Sequence, residues 1–239
     1  HRDLHSFPTR RSSDLGTRLR DSLPKGIPKP MAPVRGVPFL EILIDHLVLK
    51  GLRNFVILSG YQSWVIEDYF SNYDRSDISI TVSSEIEPLG TAGSLKRAVE
   101  SVNSSDVSLV VNGDTFFDVK VMDLLYHHCL KGALATLGLV RVPDTSRHGS
   151  VRVDRNYYIS KFCEKSKPAS GLIYAGVYLL SLDLLSLVPE CKFYSMEHDV
   201  FPQVAELGKL LGVVHASADF FDIGTPESYQ AFQDWRCSS

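Results

Sequence analysis

Five short stretches carry residues that could do chemistry. Gly16-Thr17-Arg18-Leu19 precedes a proline-rich segment, and Pro28-Lys29-Pro30-Met31 holds a lysine between two prolines. Proline fixes φ, so this loop presents its lysine with little backbone freedom to lose. Pro88-Leu89-Gly90-Thr91-Ala92-Gly93 leads into a helical pattern, Asn112-Gly113-Asp114 follows an apolar run, and Phe221-Asp222-Ile223-Gly224-Thr225-Pro226 puts an acid just ahead of another helix. A lysine, an arginine and two acids at turns could serve an anionic substrate, because a few placed cations in a cleft suffice. Taken singly the stretches are ordinary. Gly-Thr pairs start helices, acids after glycine sit in turns, Lys29 reads equally as an exposed loop lysine, and Asp222 as an acid favoured beside a helix start. Their combination and order set them apart.

The elements that must position these residues read as α/β. Residues 38–50 place Phe39, Leu40, Leu43 and Leu47 at helical spacing, and Gly51 ends them. Residues 54–60 and 107–111 are continuous apolar runs, as in buried parallel strands. The pattern predicts helices over 63–72 and 91–102 and an alternating strand over 78–83. The second half predicts strands over 133–142, 150–153, 158–162, 172–180 and 212–216, and helices over 200–210 and 226–235. Alternating βαβ units argue for a Rossmann-like, doubly wound, mostly parallel sheet with an added mixed-sheet lobe. In such sheets ligands bind beyond the carboxyl ends of strands, where Gly16–Leu19, Pro88–Gly93 and Asn112–Asp114 fall, and Asp222 also stands at a strand end.

Bulk properties narrow the classes. A chain of 239 residues with 44% hydrophobic content can bury a sizeable core. Lys+Arg 25 against Asp+Glu 28 shows no basic face for nucleic acid. No apolar run approaches the roughly 18 residues of a membrane span. Cys129, Cys163, Cys191 and Cys237 are scattered, without metal-ligand spacing, which reads as reduced thiols in a cytoplasmic protein. No Ser/His/Asp or Cys/His set emerges. His127-His128 reads as the surface of a helix, His148 as a weak candidate for a pocket, and the strand Tyr and Phe residues as core.

In this order, Gly16–Leu19, Pro28–Met31, Glu87–Gly93, Asn112–Asp114, Glu164-Lys165, Ala175-Gly176-Val177-Tyr178 and Asp222–Pro226 resemble the motifs of the sugar-1-phosphate nucleotidyltransferases, from Gly16 to about Trp235. Within that family, residues 28–33, 87–91, 112–118 and 147–151 look most like the D-glycero-D-manno-heptose 1-phosphate guanylyltransferases. The resemblance implies a GT-A-like fold that joins an NTP, GTP favoured, to a sugar 1-phosphate and releases pyrophosphate, making a precursor for a lipopolysaccharide, capsule or S-layer glycan. Mannose-1-phosphate guanylyltransferase, glucose-1-phosphate thymidylyl- or uridylyltransferase, and a non-catalytic nucleotide-sugar-binding module on the same fold stay open as alternatives. Retention of Arg18, Lys29, Asp114 and Asp222 together argues for catalysis. The resemblance also implies roles. Asp114 and Asp222 would hold Mg²⁺, Arg18 would stabilise the leaving pyrophosphate, and Lys29 would bridge the reacting phosphates. Gly16, Thr17, Gly90, Thr91 and Asn112 would meet the nucleotide. Gly149, Glu164, Lys165 and Tyr174 would meet the sugar phosphate. Oligomeric state stays open, a homo-oligomer included.

Two departures from the family pattern stand out. Residues 1–15, crowded with Arg and Ser and without helical or alternating period, resemble translated sequencing-adapter read-through. They are expected to be a non-native leader ahead of a single domain over 16–239, a natural disordered tail being the other reading. Family members open with an apolar strand and a glycine-rich turn, whose successive N–H groups make an anion nest. Here Ser13 and Asp14 stand at the glycine positions, and Asp14 would set a carboxylate beside the triphosphate. Ser6–Arg11, with Pro8 and two arginines, is expected not to replace a buried central strand, so the first strand is expected to be missing. Second, Tyr174 stands where the family usually has an asparagine at the sugar.

Overall fold

The computed structural model describes residues 5–9, 19, 23–24, 26–85, 88–101, 106–163, 168–190 and 193–238. In chain order the strands are β1 (His5–Thr9), β2 (Pro33–Val34), β3 (Val37–Pro38), β4 (Asn54–Ser59), β5 (Ser79–Ser84), β6 (Val107–Asn112), β7 (Thr115–Phe117), β8 (Ala135–Val142), β9 (Ser150–Val153), β10 (Ile159–Cys163), β11 (Gly171–Ser181), β12 (Leu210–Val214) and β13 (Phe220–Asp222). The longer helices are α1 (Phe39–Leu49), α2 (Ser63–Ser71), α3 (Gly90–Ser101), α4 (Val121–Lys131), α5 (Phe201–Glu206) and α6 (Pro226–Ser238).

A seven-stranded sheet runs β12-β8-β11-β6-β1-β4-β5. β6, β1, β4 and β5 are mutually parallel, whereas β11 runs antiparallel to both β6 and β8. β6 is buried along its whole length and β4 from Phe55 onward. Continuous apolar runs fit here because helices cover both faces. One face carries α1 and α2, with Leu43, Ile44, Ile66 and Phe70 in a shared cluster. The other carries α3 and α5, with Leu95, Val99, Phe201 and Val204. β8, β11 and β12 of the second half extend the central sheet, β9–β10 forms a separate antiparallel ribbon, and β13 pairs with β7.

Three expectations are corrected. The slot of the first strand is filled: β1 lies between β4 and β6, in register with β6 from His5↔Ser108 to Thr9↔Asn112. Strand ladders are made by backbone groups, so an atypical sequence can complete one. Registered pairs with β4 cover His5↔Asn54 and Ser6↔Phe55 and stop before Pro8, which has no N–H to donate. The helix expected over 200–210 ends at Glu206, because Gly208 takes φ +64° and releases the chain into β12. His128 is buried rather than on the surface. Its Nδ1 lies 2.9 Å from Thr136 Oγ1 and its Nε2 2.9 Å from Ser181 Oγ. That burial pushes its pKa down to about 4. Its neighbour His127 is half-buried against the Tyr157 ring at 4.4 Å.

Candidate functional site

Two acids far apart in sequence meet through two very short strands. β6 delivers the chain to the Asn112-Gly113-Asp114 turn, and β7 leaves it at once to pair antiparallel with β13, setting Asp222 opposite Thr115. Ile223 N–H donates to the Asp114 carbonyl at 3.1 Å, which completes the junction. Asp114 is 9% exposed, and its Oδ1 accepts from the Thr115 hydroxyl at 3.2 Å. Asp222 Oδ1 accepts from Gly224 N–H at 2.8 Å, and Asp222 Oδ2 lies 3.9 Å from His148 Nδ1. Asp222 is not the helix cap, since Thr225 Oγ1 accepts from Ser228 N–H and Pro226 opens α6.

Lys29 closes the group. A turn of 3-10 helix over Lys29–Met31, fixed by Pro28 and by Met31 N–H donating to the Pro28 carbonyl at 2.8 Å, aims its side chain inward. Lys29 Nζ reaches Asp114 Oδ2 at 2.8 Å with side chains only 9% and 12% exposed, so it is not an exposed loop lysine. A Cβ on Gly224 would stand 3.2 Å from Lys29 Nζ and 2.9 Å from Asp222 Oδ1. The glycine of this motif therefore leaves room for an ammonium beside the second acid.

The other sequence candidates fall into distinct places. Asn112 is buried at the end of β6, and its amide packs against Gly176, where a Cβ would come within 2.9 Å of Nδ2. That contact, with φ +76° at Gly176, explains the glycine of 175–178. Gly90 also has positive φ, +73°, and a Cβ there would lie 2.5 Å from the Tyr194 carbonyl oxygen. Its missing side chain thus makes room for the protein's own backbone. Thr91 Oγ1 accepts from Met196 N–H at 2.9 Å.

Gly149 and Tyr174 line a cavity of about 430 Å³ together with His148, Phe162, Phe201, Glu197 and His198. His148 joins this cavity to the acid pair. Phe162 and Phe201 are parallel, 6.4 Å apart, and Tyr174 meets Phe201 edge-on at 5.9 Å. Burial first, and then the Glu197 carboxylate, holds the Tyr178 phenol above its usual range. Neither motif nor spacing marks Glu197 and His198. They lie in the turn Met196–Val200, capped by Ser195, whose Oγ accepts from His198 N–H while Asp199 accepts from Ser195 N–H at 2.7 Å. Gly16, Thr17, Arg18, Glu164 and Lys165 lie outside the described residues, as do Ser13 and Asp14.

Residues 15–236 match the family model described as nucleotidyl transferase. The chain is 36% identical, over 91% of its length and 94% of the relative's, to D-glycero-alpha-D-manno-heptose 1-phosphate guanylyltransferase of Campylobacter jejuni. It is 33% identical to the mannose-1-phosphate guanylyltransferase of Mycobacterium tuberculosis over 90% of this chain and 60% of that one. The solved structure of HddC from Yersinia pseudotuberculosis superposes with a TM-score of 0.83 at 28% identity, covering 99% of this chain and 100% of that one. The same protein complexed with GMP-PN gives 0.79 at 26%, again over 99% and 100%.

Proposed function

The chain belongs to the nucleotidyl transferase family, and from that premise we propose that it joins GTP to a sugar 1-phosphate, D-glycero-α-D-manno-heptose 1-phosphate favoured, and releases pyrophosphate. The observation that carries the reading is Lys29 drawn in between Asp114 and Gly224, beside Asp222, which His148 links to the neighbouring cavity. Two polyanions must approach each other in this reaction, so positioned charge is the main requirement. The sugar-phosphate oxygen attacks the α-phosphorus in line, and the bond to pyrophosphate breaks. That oxygen is already anionic near neutral pH, so no general base and no covalent nucleophile is needed.

Lys29 supplies a compact positive charge at the reacting phosphates. Arg18 stabilises the leaving pyrophosphate, a role worth about 10³–10⁵ in rate for arginines so placed. Lys165 meets the sugar phosphate, Glu164 accepts from sugar hydroxyls, and Gly149 and Tyr174 pack beside the ring. Gly16, Thr17, Gly90, Thr91 and Asn112 belong to the nucleotide side. Asp114 and Asp222 suit Mg²⁺: two carboxylates at adjoining strand ends, one already holding an ammonium, are the donor set this hard cation takes together with phosphate oxygens. When bound, Mg²⁺ neutralises charge on the phosphates. The proposed catalytic domain is residues 16–239 together with β1 in its central sheet, acting in the cytoplasm.

A matrix of four NTPs against heptose, mannose and glucose 1-phosphates, scored by pyrophosphate release, tests the reading. The expected result is highest kcat/KM for GTP with the heptose phosphate. Absence of release with every pair contradicts the proposal.

A further inference from the structure

The cavity beside the acid pair has one stretch of wall that neither motif nor spacing picks out. Glu197 and His198 enter it from the Met196–Val200 turn, whereas Gly149 immediately precedes β9 and Tyr174 lies on β11. We propose that Glu197 and His198 read the hydroxyl groups of the sugar, and that Thr91 positions them. The proposal rests on the sugar 1-phosphate reading of this cavity and deepens it.

Chemistry restricts what Glu197 can face. A carboxylate is an acceptor only, and it repels phosphate. The phosphate end of the substrate therefore belongs with the cations, and Glu197 with the neutral, hydroxylated part. Two carboxylate oxygens match two neighbouring hydroxyl donors, and an imidazole can both give and take a proton in hydrogen bonding. The parallel Phe162 and Phe201 rings and the edge of Tyr174 provide apolar surface for the C–H face of a pyranose.

The turn and the residues just before it are fastened to Leu89 and the first turn of α3 by three hydrogen bonds in succession. Tyr194 N–H donates to the Leu89 carbonyl at 2.8 Å, Ala92 N–H to the Tyr194 carbonyl at 2.9 Å, and Met196 N–H to Thr91 Oγ1 at 2.9 Å. Met196 immediately precedes Glu197. The Thr91 hydroxyl is thus committed to the sugar wall, although Thr91 sits in the first turn of α3, which is assigned to the nucleotide. Thr91 acts through Glu197 and His198 as a positioning residue.

The test is steady-state kinetics of the full chain with GTP and the heptose and mannose 1-phosphates. Glu197→Gln keeps the shape and removes the charge, and is expected to raise KM for the sugar phosphate by about 10- to 100-fold, as for loss of a hydrogen bond to an ionised group. KM for GTP stays within about twofold, and the preference between the two sugars shifts, because a hydrogen-bonding site discriminates by the groups it pairs. His198→Ala moves the same constant by less. Thr91→Val, which keeps the volume and loses the acceptor, moves it too, and Thr91→Ser restores it; melting temperatures separate this from unfolding. Sugar KM unchanged in Glu197→Gln, or KM for both substrates raised alike, overturns the inference. Wild-type chain that turns over no pair overturns the proposed function instead, and this inference with it.

Discussion

Lys29 Nζ lies 2.8 Å from Asp114 Oδ2, and this ion pair forms between a proline-locked turn and the end of a central strand. Its Asp114 partner accepts from Thr115 on the other oxygen, so the carboxylate is held from two sides. Lys29→Gln is expected to lower kcat/KM by about 10²- to 10³-fold, the range for loss of one preorganised charge-stabilising group. It also leaves a mostly buried carboxylate without its cation, an effect worth up to about 3–5 kcal/mol. Pyrophosphate release and thermal unfolding read the two effects. Near-normal turnover would contradict the role.

Asp222→Asn isolates charge from structure. The substituted side chain still carries an oxygen to accept Gly224 N–H, so the turn is kept. Outer-sphere partners of metal ligands alone are worth about 10–100-fold in affinity or activity. Loss of a ligand is therefore expected to weaken Mn²⁺ binding, followed by electron paramagnetic resonance, by at least that much, with an unchanged melting temperature. Unaltered Mn²⁺ affinity would remove Asp222 from the metal.

Gly90→Ala puts a methyl group 2.5 Å from the Tyr194 carbonyl oxygen at φ +73°. Such strain costs about 1–3 kcal/mol. For a domain of this size each kcal/mol lowers Tm by about 2–4 °C. Calorimetry showing no change in Tm would mean that the start of α3 does not need the glycine.

His128 should make the fold acid-sensitive. Burial lowers its pKa from 6.5 to about 4, with its two ring nitrogens against Thr136 and Ser181. Below pH 6.5 the unfolded chain therefore binds a proton that the folded chain does not. Stability is full above pH 6.5 and falls as pH drops toward 4, by about 1.4 kcal/mol per unit. Urea unfolding at pH 7 and 5 is expected to differ by about 2 kcal/mol from this group alone, and His128→Gln to reduce that difference. A mutant that keeps the whole difference would assign it elsewhere.

The central strands are legible in residues 54–59 and 107–112 because a strand covered on both faces must be apolar throughout. Lys29 is legible because prolines flank it. The meeting of Asp114 with Asp222 is not: β7 and β13 are three residues each, too short for a period, and only their pairing joins the acids. Glu197 and His198 are silent in sequence because their cavity is made by distant strands and by the Thr91 bond. His128 reads as a surface residue until Thr136 and Ser181 are placed on strands beneath it. β1 shows the reverse limit, since a ladder open on both sides accepts a segment whose side chains argue against it.

The most direct measurement is ³¹P nuclear magnetic resonance of the chain with GTP, Mg²⁺ and D-glycero-α-D-manno-heptose 1-phosphate. The account requires the triphosphate and sugar-phosphate signals to fall together while one pyrophosphate and one sugar-linked diphosphate appear in equal amounts. Orthophosphate release with the heptose phosphate intact, or binding of both substrates without turnover, would contradict it.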